Sequence, residues 1–262
     1  MRWTGTKKGL LKGLHKSTRK NIFLDTRSVL FNGTNADVRW ADSSFDTLAN
    51  GTISIWIRPT SVTATMEIFC CTINGTTNNC IIGVRSTGSI FINTRVGNIN
   101  QYDADTPTGI IVANNWYHIA WSHPTDTTTA GAHRVYVNGV SYPLTYNVSL
   151  SLTPYFSSVV GTKRYTLGNF RRNTSGNYFV GYMSNFCLFN RGLMGEAILK
   201  LYNNGRPVNP QQFSFSDALI CWLKMGNGDT YPTLKDSQDS YNGTMTNMAA
   251  SDITNLTPFG FV

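Results

Sequence analysis

Thr52-Ile53-Ser54-Ile55-Trp56-Ile57-Arg58-Pro59 decides the fold class of this 262-residue chain. Ile53, Ile55 and Ile57 share one face, and Ser54, Trp56 and Arg58 share the other. A period of two predicts a half-buried antiparallel strand, and Pro59, which has no N–H to donate, ends it. The same pattern recurs further along the chain. Ile81-Ile82-Gly83-Val84 and Ser89-Ile90-Phe91-Ile92 flank Ser86-Thr87-Gly88 as a hairpin. Residues 116–122 alternate again, and Arg134-Val135-Tyr136-Val137 runs into Asn138-Gly139, a pair that accepts positive φ and favours a tight turn. Residues 178–189 and 218–225 predict two further strands, while 123–133 and 143–160 are Thr- or Ser-rich and predict loops. One helix is expected over 193–202, where apolar groups recur at helical spacing. Asn203-Asn204-Gly205 would stop it, with Pro207 beyond.

Many strands and one short late helix predict an all-β protein, a two-sheet antiparallel jelly-roll sandwich, not a parallel α/β fold. Composition agrees. Charged residues make up only 14% of the chain against 41% apolar. Asn, Thr, Ser and Gly fill the difference, which suits short strands joined by polar turns. The net charge of +8 is unevenly spread. Residues 1–27 carry eight basic side chains against Asp25 alone, a net of +7, so the remainder is nearly neutral. The expected organisation is an extended basic N-terminal arm over 1–27 and one jelly-roll domain over 28–262. The sequence shows no secretion signal and no apolar stretch long enough to span a membrane. The sequons at Asn32, Asn50, Asn74, Asn147, Asn173, Asn242 and Asn255 read as turn chemistry.

Several segments together resemble a known family. Val29-Leu30-Phe31-Asn32-Gly33-Thr34-Asn35-Ala36-Asp37-Val38 looks like the opening strand of laminin G-like jelly-roll domains in the concanavalin A-like lectin/glucanase superfamily. The stretch 52–59 resembles its second strand, Asn115-Trp116-Tyr117-His118-Ile119-Ala120-Trp121 its central strand, and the 134–139 segment its hairpin. Residues 179–191 and the helix ending Leu201-Tyr202-Asn203-Asn204-Gly205 are similar to its closing strand and helix. Residues 218–225, 235–237 and 242–245 resemble a further strand module. Gly181 suits a crowded strand position. Met194 stands where the family has a Ser/Thr helix cap, so the helix start is expected to fray.

The resemblance admits enzymes, and glycoside hydrolysis needs two carboxylates about 5–9.5 Å apart. Glu67 and Glu196 are the only glutamates and lie far apart in sequence, so no enzyme is expected. His118 reads as a structural residue of its strand. His123 and His133 bracket a Thr-rich loop without a third metal ligand. No cofactor is expected, although calcium is weighed at Asp37, Asp42, Asp46, Asp236 and Asp239, because lectin-like sandwiches hold it in rim loops. Five cysteines, with no Cys-x-x-Cys pair, argue against a disulfide framework; Cys70 or Cys71 pairing with Cys80 stays open. Glycan binding needs aromatic faces near turns, which Trp40, Tyr102, Tyr155 and Tyr178 supply; Trp56, Trp116, Trp121 and Trp222 read as packing residues.

The leading expectation is a non-catalytic structural protein, a virion accessory or decoration protein of phage head or tail type. It would sit on a virion or extracellular surface and form a homo-oligomer. Arg2, Trp3, Lys7, Lys8, Lys12, Lys16, Arg19 and Lys20 of the arm would contact neighbouring subunits. Two alternatives stay open: a free carbohydrate-binding module for surface glycans, and nucleic-acid contact through the arm, whose charge could neutralise several phosphates.

Overall fold

The computed structural model describes residues 23–125, 133–172 and 175–258. The arm residues proposed as contacts, Arg2 to Lys20, lie outside the described residues.

In chain order the strands are β1 (Ser28–Asn32), β2 (Asp37–Arg39), β3 (Gly51–Pro59), β4 (Met66–Ile73), β5 (Asn79–Val84), β6 (Ile90–Val96), β7 (Ile99–Asp105), β8 (Tyr117–His123), β9 (Arg134–Val137) and β10 (Val140–Tyr142). They continue with β11 (Thr145–Ser149), β12 (Lys163–Leu167), β13 (Phe170–Arg171), β14 (Ser175–Gly176), β15 (Val180–Phe189), β16 (Leu219–Leu223), β17 (Thr233–Leu234), β18 (Gly243–Thr246) and β19 (Ile253–Thr254). The helix α1 (Glu196–Tyr202) precedes β16. One sheet runs β10-β9-β8-β3-β15-β1-β19, with β16 also on β15; the other runs β11-β7-β6-β5-β4-β12-β2-β18-β17. All pairings in both are antiparallel. The chain is the all-β, two-sheet sandwich that its sequence predicts.

Parity decides what fills the interior. Ile53, Ile55 and Ile57 of β3 face Ile68 and Cys71 of β4, Ile82 of β5 and Ile92 of β6 across one shared core. Aromatic rings tie the layers together. Phe186 lies 5.1 Å from Trp40 and 5.5 Å from Phe69, and Phe69 stacks 5.5 Å from Phe156. Each such ring contributes roughly 1.5–3 kcal/mol by leaving water.

The opposite face of β3 is also buried, which the half-buried expectation missed. The helix and the turns after it cover the outside of that sheet, packing Leu201 and Ile198 with Phe189, Phe215 and Trp222. Trp56 stacks on Tyr202 at 5.9 Å and tilts against His118 at 5.3 Å. Ser54 Oγ and His118 Nε2 share a 2.8 Å hydrogen bond there, and burial lowers the His118 pKa to about 3. The helix begins at Glu196, three residues later than expected, because Gly195 turns through φ 53° and leaves Leu193 and Met194 outside it. Asn203, at φ 44°, closes it as expected. Residues 145–149, expected as loop, form the edge strand β11, whose burial alternates residue by residue.

Two joints set the ends of the sandwich. β1 pairs with β19, with Val29 opposite Ile253, so the first and last strands are neighbours. Just before β1, Phe23 packs edge-on at 5.3 Å against Trp222, and Asp25 accepts hydrogen bonds from Ser184 Oγ and Asn227 Nδ2. The last five arm residues therefore belong structurally to the sandwich.

Candidate functional site

A cleft of about 270 Å³ opens on the outer face of the second sheet. Strand parity builds it. β5 sends Asn79 and Ile81 outward and Arg85 follows it directly, β6 sends Phe91, Asn93 and Arg95, and β4 and β7 contribute Glu67 and Asp103. Register lines them up in rows: Asn79 faces Arg95, Ile81 faces Asn93, and Asn93 faces Asp103. Gly83 faces Phe91, and a Cβ at Gly83 would stand 2.5 Å from Phe91 Cε1, so the missing side chain makes room for the ring. The hairpin of β13 and β14 folds over one side, bringing Phe170 and Arg172, and Asn177 follows it. Thr72 Oγ1 on β4 anchors this hairpin by donating to the Arg171 carbonyl.

The floor is a small apolar cluster of Cys70, Ile81 and Phe91, with Phe170 packed against it. Guanidinium groups cap both rings: Arg85 sits 4.0 Å over Phe91 and Arg172 4.0 Å over Phe170. Arg85 is neutralised, donating to Asp103 at 2.8 Å and to Asp105 at 3.0 Å. Among the described residues Arg172 and Arg95 have no ion-pair partner. Desolvation, followed by the charge of Arg95, lowers the pKa of Arg172. Burial pushes the Glu67 carboxyl up to about 8, against an opposing hydrogen bond from Asn177, so it is mostly protonated at neutral pH. Asn177 Nδ2 donates to Glu67 Oε1 at 2.8 Å. Glu67 Oε2, Asn79 Oδ1 and Arg172 Nε are buried without a hydrogen-bond partner among the described residues. A buried unpaired polar atom costs about 1–3 kcal/mol, and these three line one cleft that opens on the sheet face.

The residues expected at a site fall elsewhere. Trp40, Tyr102 and Tyr155 are at most 3% exposed and belong to the core, so none offers a face to a glycan. Tyr102 lies on the inward parity of β7, and its hydroxyl donates to the Pro154 carbonyl at 3.1 Å. Tyr178 is half-buried just before β15, outside the cleft. The aspartates weighed for calcium are scattered and engaged. Asp37 is fully buried, accepting from Arg39 and from Asn169 Nδ2 at 2.6 Å. Asp46 accepts from the Tyr165 hydroxyl and pairs with Lys163 at 3.2 Å. Asp236 accepts four backbone N–H groups, those of Trp222, Gln238, Ser240 and Tyr241. Asp42 reaches only Arg171, at 4.0 Å, and Asp239 occupies a turn at φ 57°. Among the described residues no three His, Cys, Asp or Glu side chains converge as metal ligands. His123 and His133 do meet, with ring centroids 4.7 Å apart, but inside the sandwich. Cys71 stands opposite Cys80 in register, and all five cysteines are buried free thiols.

The fold and this outward cleft define a jelly-roll domain of lectin type. A family model described as the concanavalin A-like lectin/glucanases superfamily matches residues 32–199, and the chain belongs to that family. Solved structures share the fold at low identity. A candidate carbohydrate-binding protein from Bacteroides ovatus is 18% identical with a TM-score of 0.62; the match covers 88% of this chain and 60% of that one. The CBM40 of the Ruminococcus gnavus IT-sialidase, bound to α2,3-sialyllactose, is 17% identical with a TM-score of 0.52 over 67% of this chain and 96% of its own. The NanB sialidase from Streptococcus pneumoniae is 18% identical with a TM-score of 0.51 over 72% of this chain and 29% of its own. No curated protein matches in sequence. Among the described residues no helix is long and apolar enough to cross a membrane.

Proposed function

We propose that this chain is a non-catalytic glycan-binding protein that receives a saccharide in the cleft of Glu67, Asn79, Asn93, Arg95, Phe170 and Arg172. The observation that carries this reading is the convergence of three buried, unpaired polar atoms around an apolar floor on an open sheet face. Saccharides need that combination: apolar patches for their C–H faces and fixed donors and acceptors for their hydroxyls. Carbohydrate binding in the names of the Bacteroides and Ruminococcus structures is consistent with it.

The state of the described acids around the cleft supports a binding role: Asp103 and Asp105 are both engaged by Arg85. Glu67 on β4 and Asp103 on β7 line the same cleft from strands three spacings apart, roughly 14 Å between their backbones. Glu196 sits exposed on the helix against the other sheet and pairs with Lys200 at 2.8 Å. A surface or extracellular setting follows from a glycan ligand. The virion and nucleic-acid expectations rest on the arm, and the glycan reading does not require them.

A glycan array with the intact chain tests the proposal. Defined saccharides should bind, and Phe170→Ala or Asn93→Ala should weaken them about tenfold or more while each variant still unfolds in one cooperative transition. A blank array, or binding that both variants retain in full, would overturn it.

A further inference from the structure

The charges in the cleft do not balance, and this points to the class of sugar. Resting on the glycan reading, we propose that the bound saccharide is acidic, carrying a carboxylate held between Arg95 and Arg172.

Arg85 shares the cleft, but its charge is consumed by Asp103 and Asp105. Arg95 and Arg172 are left facing one another's charge in a partly desolvated space, and each raises the cost of the other. Proteins ordinarily place a carboxylate between two such guanidiniums. Here the available one, Glu67, is buried and accepts from Asn177, and its other oxygen has no partner. Burial pushes its pKa up to about 8, so at neutral pH it adds little negative charge. With Arg85, Arg95 and Arg172 set against Asp103 and Asp105, and Glu67 protonated, the cleft keeps a net positive charge of about one, and both aspartates are taken up by Arg85. A guanidinium presents a planar fork of donors that matches a carboxylate, and such charge-assisted bonds are about twice as strong as neutral ones. Stacking on Phe170 holds Arg172 in place before any ligand arrives, which reduces the ordering cost of binding.

Glu67 also gives the site a pH dependence. The charged groups that bear on it are Arg85, just after β5, and Arg172 from the hairpin, with Asn177 as the neutral donor. Above pH 8 its ionisation places a negative charge beside the cations and competes with an anionic ligand.

Two matched pairs of probes test the assignment by calorimetry: sialyllactose with lactose, and trigalacturonate with its methyl ester. The acidic member of at least one pair should bind at least tenfold more tightly than its neutral counterpart. Arg95→Gln and Arg172→Gln should each abolish that preference, and added salt should weaken it. Wild-type affinity for the acid should fall between pH 7 and 9, whereas Glu67→Gln should hold it level. Equal affinity for acid and neutral members, unchanged in both arginine variants, would overturn the acidic assignment and leave the glycan cleft standing. Binding of a sulfated sugar but of neither carboxylate would overturn it too. If no saccharide of any kind binds, the glycan reading itself falls, and this inference falls with it.

Discussion

His123 and His133 show how little a single residue reveals before its surroundings are known. In sequence they bracket a Thr-rich loop; in the fold they lie 4.7 Å apart between the sheets, beside Tyr155 and Trp121. Each donates one hydrogen bond to a carbonyl: His123 Nε2 to Pro154 O at 3.2 Å and His133 Nε2 to Leu152 O at 2.7 Å. Burial lowers their pKa values to about 3 and about 4. In the unfolded chain both titrate near 6.5, so below that pH the unfolded state binds more protons and stability falls as pH drops toward 4. From pH 7 to 5 this amounts to on the order of 1–2 kcal/mol per histidine. Asp25, raised to about 6 by burial, and Glu67, raised to about 8, act in the opposite sense: native proton binding by each favours the fold in acid. The histidine contribution is therefore read by difference. Urea midpoints of the His123→Gln/His133→Gln double variant should be lower than wild type at pH 7, and the gap should narrow or vanish by pH 5. A constant gap would rule this account out. Three of the four aromatic residues expected at a glycan site, Trp40, Tyr102 and Tyr155, are buried for a related reason. Nearness to a turn says nothing about which side of a sheet a ring takes, and Tyr102 and Tyr155 take the inner one.

Among the elements, β3, β8, β9 and β15 were legible because their alternation is clean and their turns carry Asn-Gly or Pro signals. β4 was not, since Met66–Ile73 is buried at every position and gives no period of two. This one gap hid most of the candidate site: without β4 paired to β5, Glu67 has no reason to meet Arg85. Arg172 was harder still, because it enters from a hairpin about 80 residues later in the chain. Two elements make firm predictions. Gly181 in β15 adopts φ 133°, and a Cβ there would clash with the Arg58 carbonyl of the neighbouring strand. Gly181→Ala should therefore lose about 2–4 kcal/mol, measurable by chemical denaturation. Asp236 gathers four backbone N–H groups and joins the loop 236–241 to β16. Asp236→Ala should cost about 3 kcal/mol or more, while Asp236→Asn, which keeps one acceptor oxygen, should cost less. Equal losses in the two variants would show that the acceptors are not what matters.

On the scale of the whole molecule, the class of fold was readable because two-sheet closure is a sum over many weak signals in a consistent order. The boundary of the arm was less so. Residue 28 begins the first strand, but Phe23 and Asp25 already pack on the outer side of the β3–β15 sheet. Removing residues 1–22 should leave the melting temperature and saccharide binding unchanged. Removing 1–27 should lower the melting temperature by several degrees, because Trp222 loses its aromatic neighbour and Ser184 and Asn227 lose the carboxylate they donate to.

The pairing of β1 with β19 has a topological consequence. Because Val29 and Ile253 are cross-strand neighbours, a short linker could splice the two ends of the sandwich, and the chain could instead be opened at the Asn138-Gly139 hairpin, remote from the cleft. Such a circular permutant should fold and keep its ligand. The same adjacency would let this body be carried as an insert on a single stalk, entering and leaving its host at one point and displaying the opposite sheet outward like a palm.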